Sequence, residues 1–209
     1  MFIQLKSVYQ KKSRFVKNCG LTFNNHIPPL SSSLLSSLYQ ISRVRLLFSK
    51  EVFYIMINSI VFSKLFYCCA VWAGTYKQNI HKLQLMQNFA ARILTDTGKY
   101  DYITPALKAL DWLTIEEQLR LRDVTIMYKC VNNLVPAYIS CKIGKQSNAH
   151  AYNLRNSEDL NLPGRRTAAA QSGFFYRTAK AWNSLSNNTR TALSLRSFKE
   201  HPKAELMKK

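Results

Sequence analysis

Apolar residues recur at helical spacing over the first half of the chain, and polar turn residues separate the recurring stretches. The stripe within residues 33–49 has the spacing of an amphipathic helix. An apolar run over residues 50–73 predicts a second helix ending at Gly74, and residues 77–95 predict a third that stops near Gly98. The first stripe comprises Leu34, Leu38, Ile41 and Phe48. The inward positions expected in the third helix are Ile80, Leu83, Phe89 or Ala90, and Leu94.

Capping residues mark two helix starts in the middle of the chain. Thr104-Pro105 is typical of an N-cap followed by a first-turn proline, which opens a short helix. Thr114 and Glu117 form a capping box, because each side chain can bond to the backbone amide of the other residue. The helix that they start is expected to extend to about Asn132.

The last third of the chain changes character. Residues 140–172 are rich in Asn, Ser, Lys and Arg, which predicts an extended segment with a short hairpin over residues 152–167. Helices are expected again over residues 175–185 and 194–201, where Pro202 would end or kink the last one. The pattern as a whole predicts a mainly α fold with a partly extended, basic C-terminal region.

Three parts of the chain are expected. Pro28-Pro29 breaks regular structure and makes a boundary, so residues 1–30 are expected to be weakly structured. Residues 31–139 would form the helical domain, and residues 140–209 the basic extension.

The charge is large and uneven. The net charge is +19, which indicates an anionic partner rather than a particular fold. Residues 96–142 carry six basic and six acidic side chains, whereas residues 143–209 carry twelve against four and residues 1–30 carry five against none. A neutral centre with basic flanks favours nucleic acid as the partner, with an anionic membrane as the alternative.

A set of short segments carries a family resemblance. The segments, in order, are HKLQLMQNFAARI at residues 81–93, LDWLT at 110–114, Tyr128-Lys129, PAYI at 136–139, AWNSL at 181–185 and SFK at 197–199. In this order they resemble the region downstream of the polymerase core in jockey-like non-LTR retrotransposon reverse transcriptases, which are RNA-directed DNA polymerases of transposable elements. The resemblance implies a helical thumb domain that tracks an RNA, DNA or hybrid primer–template, with residues 1–30 as a remnant of the junction to the palm.

The chemistry of a polymerase is not expected in this chain. The family places its catalytic carboxylates in an Asp-Asp turn, and the only adjacent acids here are Glu116-Glu117 and Glu158-Asp159. The first pair opens a helix, where negative charge suits the dipole, and the second is expected to be solvated in a loop. There is no GxSxG elbow or Gly-rich phosphate loop, so the chain is expected to be non-catalytic and to need no cofactor.

The cysteines predict neither disulfides nor a metal site. Five cysteines without a CxxC pair indicate a reducing compartment, which would be the nucleus or the cytoplasm. Cys130, Cys141 and His150 lack the spacing of a zinc site. Cys68-Cys69 lies in an apolar stretch and is expected to behave as a small hydrophobe.

Nucleic-acid contact is expected from basic side chains that neutralise phosphates, with neighbouring aromatic rings that stack on bases. The candidates are Arg43, Arg45, Arg92, Arg155, Arg165, Arg166, Arg177 and Lys180. A solvated basic surface is the alternative, and for Phe174, Phe175 and Trp182 a place in a small core is favoured over stacking on bases. Arg92 would make either a contact to the nucleic-acid backbone or a structural ion pair. Trp72, Trp112 and Trp182 are expected in the core.

Two further interpretations stay open. Residues 52–73 are about as long as a bilayer span, which would make the chain a membrane-associated basic protein. Lys64 and Asn58 lie inside that run, and a central lysine is costly in lipid, so the sequence argues against insertion. Residues 20–24, GLTFN, resemble the stretch that closes the palm in the reverse transcriptase family, but His26-Ile27 run straight into Pro28-Pro29. This shortened junction, and the missing palm, suggest instead a decayed element remnant without function.

Overall fold

The computed structural model describes residues 19–148, 158–162 and 164–207. These residues are mainly helical and form no β-strand, only one isolated antiparallel bridge between Lys145 and Leu160, which confirms the predicted fold class. The chain divides into two compact units, residues 1–112 and 113–209. The breaks expected after residues 30 and 139 do not coincide with this division.

Unit 1 is built on two long helices and a broken one. Its elements are α1 Cys19–Arg43, a 3₁₀ turn Arg45–Leu47, α2 Lys50–Met56, a π-helical segment Ile57–Phe62, α3 Ser63–Leu65, α4 Cys69–Trp72, α5 Lys77–Thr95 and α6 Thr104–Ala109. Helix α1 packs against α5 and the π-helical segment, and α6 packs against α5. Trp72 and Trp112 are buried, as predicted.

The prediction that Pro28-Pro29 ends regular structure is wrong, because α1 runs through both prolines. Both side chains are exposed, while Ile27, Leu34 and Leu38 on the buried side of α1 are fully buried. Proline removes an amide donor and crowds the preceding turn. Burial of the apolar stripe offsets that loss, since each large aliphatic side chain contributes about 1.5–3 kcal/mol.

The second predicted helix is interrupted twice. Its buried residues, Phe53, Ile57, Val61 and Leu65, follow one another every four positions. An α-helix has 3.6 residues per turn, so this stripe would drift around it, and the wider π turn at residues 57–62 keeps the stripe on one side. The chain then breaks at Cys68, which has left-handed backbone angles (φ 47°, ψ 29°). Cys69 is buried as expected, but Cys68 is exposed.

The third predicted helix has the expected bounds. Helix α5 spans Lys77–Thr95 and buries Leu83, Ala90 and Leu94. It also buries Gln87, which the apolar pattern does not reveal, whereas Ile80 and Phe89 are only partly buried. The helix ends at Thr95, and its C-cap, Asp96, has left-handed backbone angles two residues before Gly98.

Unit 2 is centred on one helix. Its elements are α7 Ile115–Val131, α8 Ala137–Ser140, a 3₁₀ turn Gln146–Asn148, α9 Ala168–Gln171, α10 Phe174–Asn183, α11 Asn187–Arg190 and α12 Leu195–Met207. The predicted capping box is present at the start of α7, where Thr114 accepts from the Glu117 amide and the Glu117 carboxylate accepts from the Thr114 amide. Helix α7 packs against α10 and α12.

Three aromatic side chains hold these helices together. Tyr128 of α7 stacks on Phe198 of α12 at 4.5 Å between ring centroids, and Trp182 of α10 lies 5.8 Å from the same ring. The Tyr128 hydroxyl donates to the carbonyl oxygen of Ala192 at 2.8 Å, so its polar end is satisfied. All three rings are buried, which confirms the core position predicted for Trp182.

The C-terminal part of unit 2 is more helical than the sequence suggests. Residues 168–171 form α9 inside the segment expected to be extended, and α11 was not predicted. Pro202 lies within α12, which continues to Met207 rather than ending. The bridge at Leu160 pairs with Lys145, outside the expected hairpin, and the start of that hairpin at Tyr152 lies outside the described residues.

Candidate nucleic-acid interface

Arg177 is a structural residue rather than a surface cation. Its guanidinium donates to both carboxylate oxygens of Asp123, at 2.7 and 3.1 Å, and to the carbonyl oxygen of Ser172 at 2.8 Å. The Asp123 side chain is 4% exposed and that of Arg177 is 21% exposed. Burial raises the pKa of Asp123 more than the bonds and charge of Arg177 lower it. The expectation that Arg177 contacts nucleic acid therefore conflicts with its position.

Two candidates in unit 1 also make internal contacts. Arg45 pairs with Asp96, which Lys50 also approaches at 3.4 Å. The Arg92 guanidinium donates to the carbonyl oxygens of Gly98 and Asp101, the latter at 2.9 Å. These bonds fasten the loop that follows α5, so Arg92 has a structural role based on carbonyl oxygens, not the ion pair considered from the sequence.

The remaining candidates are exposed, apart from Arg155, which lies outside the described residues. Arg43 lies in the last turn of α1. Arg165 and Arg166 lie in the segment before α9, where the Gln171 side chain donates to the carbonyl oxygen of Arg165 at 3.0 Å. Lys180 is the exposed residue of α10.

The surface of unit 2 is left with cations after its ion pairs are formed. From Leu160 to Lys199 the sequence has seven basic residues and no acid. Arg177, Arg190 and Arg196 pair with acids from outside this stretch. The other four, Arg165, Arg166, Lys180 and Lys199, are exposed and pair with no acid within the described residues; we call them the basic set.

The aromatic residues near the basic set are only partly available. Phe174 and Phe175 at the start of α10 are half-buried and contact each other edge-on at 5.3 Å. The ammonium of Lys142 lies 5.7 Å from the Phe175 ring centroid, which adds one exposed cation beside α10. The sequence favours a core position for these two phenylalanines, and their partial burial agrees with that only in part.

The segments that carry the family resemblance serve the fold of unit 2. Asn183 accepts from the Leu160 amide at 3.0 Å and donates to the Leu160 carbonyl at 2.9 Å. Arg190 bonds to Asp159 at 2.6 Å and to the carbonyl oxygen of Leu185 at 3.1 Å. Asp159 is therefore bound and partly buried, contrary to the expected solvated loop, whereas exposed Glu158 pairs with Lys145 at 2.7 Å and its pKa is lowered by that bond.

The described residues contain no group of three His, Cys, Asp or Glu side chains able to hold a metal ion. Burial raises the pKa of the Cys130 thiol, which keeps it in the less reactive protonated form. In the part of the chain that the structure describes, no helix has the length and apolarity to cross a membrane. Lys64, which interrupts the apolar run, donates to the Ser37 hydroxyl of α1 at 3.3 Å.

The sequence reasoning missed one exposed group. Tyr100 and Tyr102, in the loop between α5 and α6, are 91% and 88% exposed, and Lys99 lies beside them. Tyrosines alternating with charged residues directly after a helix stop were the signal that could have drawn attention to this loop.

Comparison with models of protein families, with curated proteins and with solved structures finds no match for this chain. The resemblance to reverse transcriptases therefore stays a prediction that rests on its own residues.

Proposed function

We propose that this chain is a non-catalytic nucleic-acid-binding fragment of a retrotransposon reverse transcriptase, with a thumb-like role beside a primer–template. It would bind RNA, DNA or an RNA–DNA hybrid weakly and without sequence preference. The ordered set of short segments supports the family, and the uneven net charge of +19 supports the partner.

The observation that carries the proposal is the basic set of unit 2. Its four side chains are exposed, and three acids in the described part of unit 2, Asp123, Asp159 and Glu200, each pair with a different arginine. A role in holding the fold together would explain why the sequence has arginines that pair with acids, such as Arg177. It does not explain cations left in solvent.

Exposed cations of this kind bind phosphates by replacing condensed counterions. The affinity then falls linearly with salt on a logarithmic scale, with a slope of about −0.9 per neutralised phosphate on duplex DNA. Arg165 and Arg166 can each hold a phosphate with a forked guanidinium, whereas Lys180 offers a point charge. None of these contacts reads a base edge, so binding would be independent of sequence.

The test is binding of the full chain to a labelled RNA–DNA hybrid over a salt series, with far-UV circular dichroism on the same samples. The triple variant Arg165→Gln, Arg166→Gln, Lys180→Gln should bind more weakly on every sequence and reduce the salt slope by about one per lost phosphate contact. The single variants Lys180→Gln and Lys82→Gln each remove one exposed charge, from α10 and from α5 of unit 1. Lys82→Gln is the matched control and should change binding far less than Lys180→Gln.

Tight binding that ignores salt, or a triple variant that binds like the wild type, would contradict the proposal. A chain that is unfolded or aggregated when purified would favour the interpretation of a decayed remnant.

A further inference from the structure

The loop between α5 and α6 displays two aromatic rings to solvent. Tyr100 is 91% exposed and Tyr102 is 88% exposed, and neither packs against another ring within the described residues. Tyrosine normally buries most of its ring or uses it in a contact, because the exposed ring is a large apolar surface. Two such rings, separated only by Asp101, form a pair of aromatic faces open to solvent.

The backbone beneath these rings is tied down. Arg92 of α5 donates to the carbonyl oxygens of Gly98 and Asp101, which lie on either side of Lys99 and Tyr100. The Asp101 carboxylate accepts from the Gly98 amide at 2.8 Å and closes the turn. A Cβ at residue 98 would lie 2.8 Å from that carboxylate, so glycine suits the tight turn. The rings are therefore presented by a fixed base, which lowers the ordering cost of binding.

The charges beside the rings suit an anionic ligand. The Lys99 ammonium lies 5.5 Å from the Tyr100 ring centroid, so a cation and an aromatic face are offered together. Arg45 and Lys50 both approach Asp96 at the end of α5, which leaves that ion-pair group with one excess positive charge. The sequence neighbours of the two rings are Lys99, Asp101 and Ile103. The Asp101 carboxylate is turned to the Gly98 amide, whereas the Lys99 ammonium lies over the Tyr100 ring.

We propose that the loop from Gly98 to Tyr102 is a stacking platform for unpaired nucleotides of RNA or DNA, with Tyr100 and Tyr102 against the bases and Lys99 at a phosphate. The inference rests on the proposed nucleic-acid function and deepens it by naming the form of nucleic acid that unit 1 recognises. Stacking is tolerant of base identity because every base has a π face, so sequence preference would stay low.

The test uses the full chain and two probes, a labelled single-stranded oligouridine and a blunt RNA–DNA hybrid. The double variant Tyr100→Ala, Tyr102→Ala should weaken oligouridine binding by roughly tenfold or more, since one lost stacking contact corresponds to about a five- to hundredfold change. The variant Tyr100→Phe, Tyr102→Phe keeps both rings and should bind like the wild type. Tyr76→Ala, which removes another exposed tyrosine of unit 1, is the control for loss of a surface ring.

The outcomes separate the two proposals. Loss of oligouridine binding in the Ala variant, with hybrid binding and the melting curve unchanged, supports the platform. Equal oligouridine binding by the Ala variant and the wild type overturns the platform and leaves hybrid binding by the basic set standing. A wild-type chain that binds neither probe overturns both. Equal losses for Tyr76→Ala and the double variant would also overturn the platform, because they would show that any exposed ring serves.

Discussion

Two basic residues on α10 should behave in opposite ways when each is replaced by methionine. Arg177 bonds twice to Asp123 and once to the Ser172 carbonyl, whereas Lys180 is exposed. Methionine and lysine have similar helix propensities, and arginine is close to both, so helix propensity contributes little to the comparison. Arg177→Met should destabilise unit 2, and Lys180→Met should instead lower nucleic-acid affinity.

The magnitude follows from the burial of the pair. Removing one partner of a buried ion pair costs about 3–5 kcal/mol, because the other charge is left buried without compensation. Asp123 is almost fully buried, but the guanidinium is about one-fifth exposed, so part of its charge is already solvated. We therefore expect a loss near the lower end, about 3 kcal/mol, for Arg177→Met. An exposed residue such as Lys180 should change stability by less than about 0.5 kcal/mol.

Hydrogen exchange on the full chain is the appropriate assay, because it reports the amides of α7 and α10 separately from those of unit 1. A loss of about 3 kcal/mol lowers the protection of globally exchanging amides by about two orders of magnitude. The double variant Asp123→Leu, Arg177→Met removes both charges and should recover most of that loss. Equal protection in Arg177→Met and Lys180→Met would refute the reasoning, as would a double variant less stable than Arg177→Met.

Three further predictions concern unit 2. Phe198→Ala removes the ring that contacts both Tyr128 and Trp182 and should cost about 3–5 kcal/mol in urea unfolding; a cost below 1 kcal/mol would contradict the stack. Thr114→Ala should cost about 1 kcal/mol through loss of the cap, with Thr114→Ser as the control that keeps it. Burial raises the pKa of Asp123 in the folded state above its value in the unfolded chain, so the folded state binds the proton more tightly. The stabilisation from this proton binding is fully present below the unfolded-state pKa and is lost as pH rises through the folded-state pKa. The free energy of unfolding of the wild type, relative to that of Asp123→Asn, should therefore increase on acidification. A difference that is constant or falls on acidification would argue against it.

Local sequence signals determined some elements fully. The bounds of α5 and the capping box at Thr114 were both predictable, since each depends on residues within a few positions of one another. The continuous α1 was not, because the cost of two prolines is local while the compensating burial comes from α5 and the π-helical segment. The π turn depends on matching a four-residue stripe to a partner surface, which no single segment specifies.

In the candidate site, too, features set by nearby residues could be predicted and features set by distant partners could not. The excess of positive charge near the C-terminal end was visible in the composition, but which cations remain free depends on distant acids. Asp123 lies 54 positions before Arg177, so nothing next to Arg177 in the sequence marks it as buried and paired. Arg165 and Lys180 have equally basic surroundings in the sequence and no such partner among the described residues.

The attachment of Leu160 to Asn183 also gives one side chain of α10 a fastening role in unit 2. Leu160 pairs with Lys145 across the bridge, and the Gln146 amide donates to the Asp159 carbonyl at 2.9 Å. The Asn183 side chain accepts from the Leu160 amide and donates to its carbonyl, so it takes both backbone groups of that residue. A single asparagine thereby links the bridged pair of segments to the helix that carries Trp182.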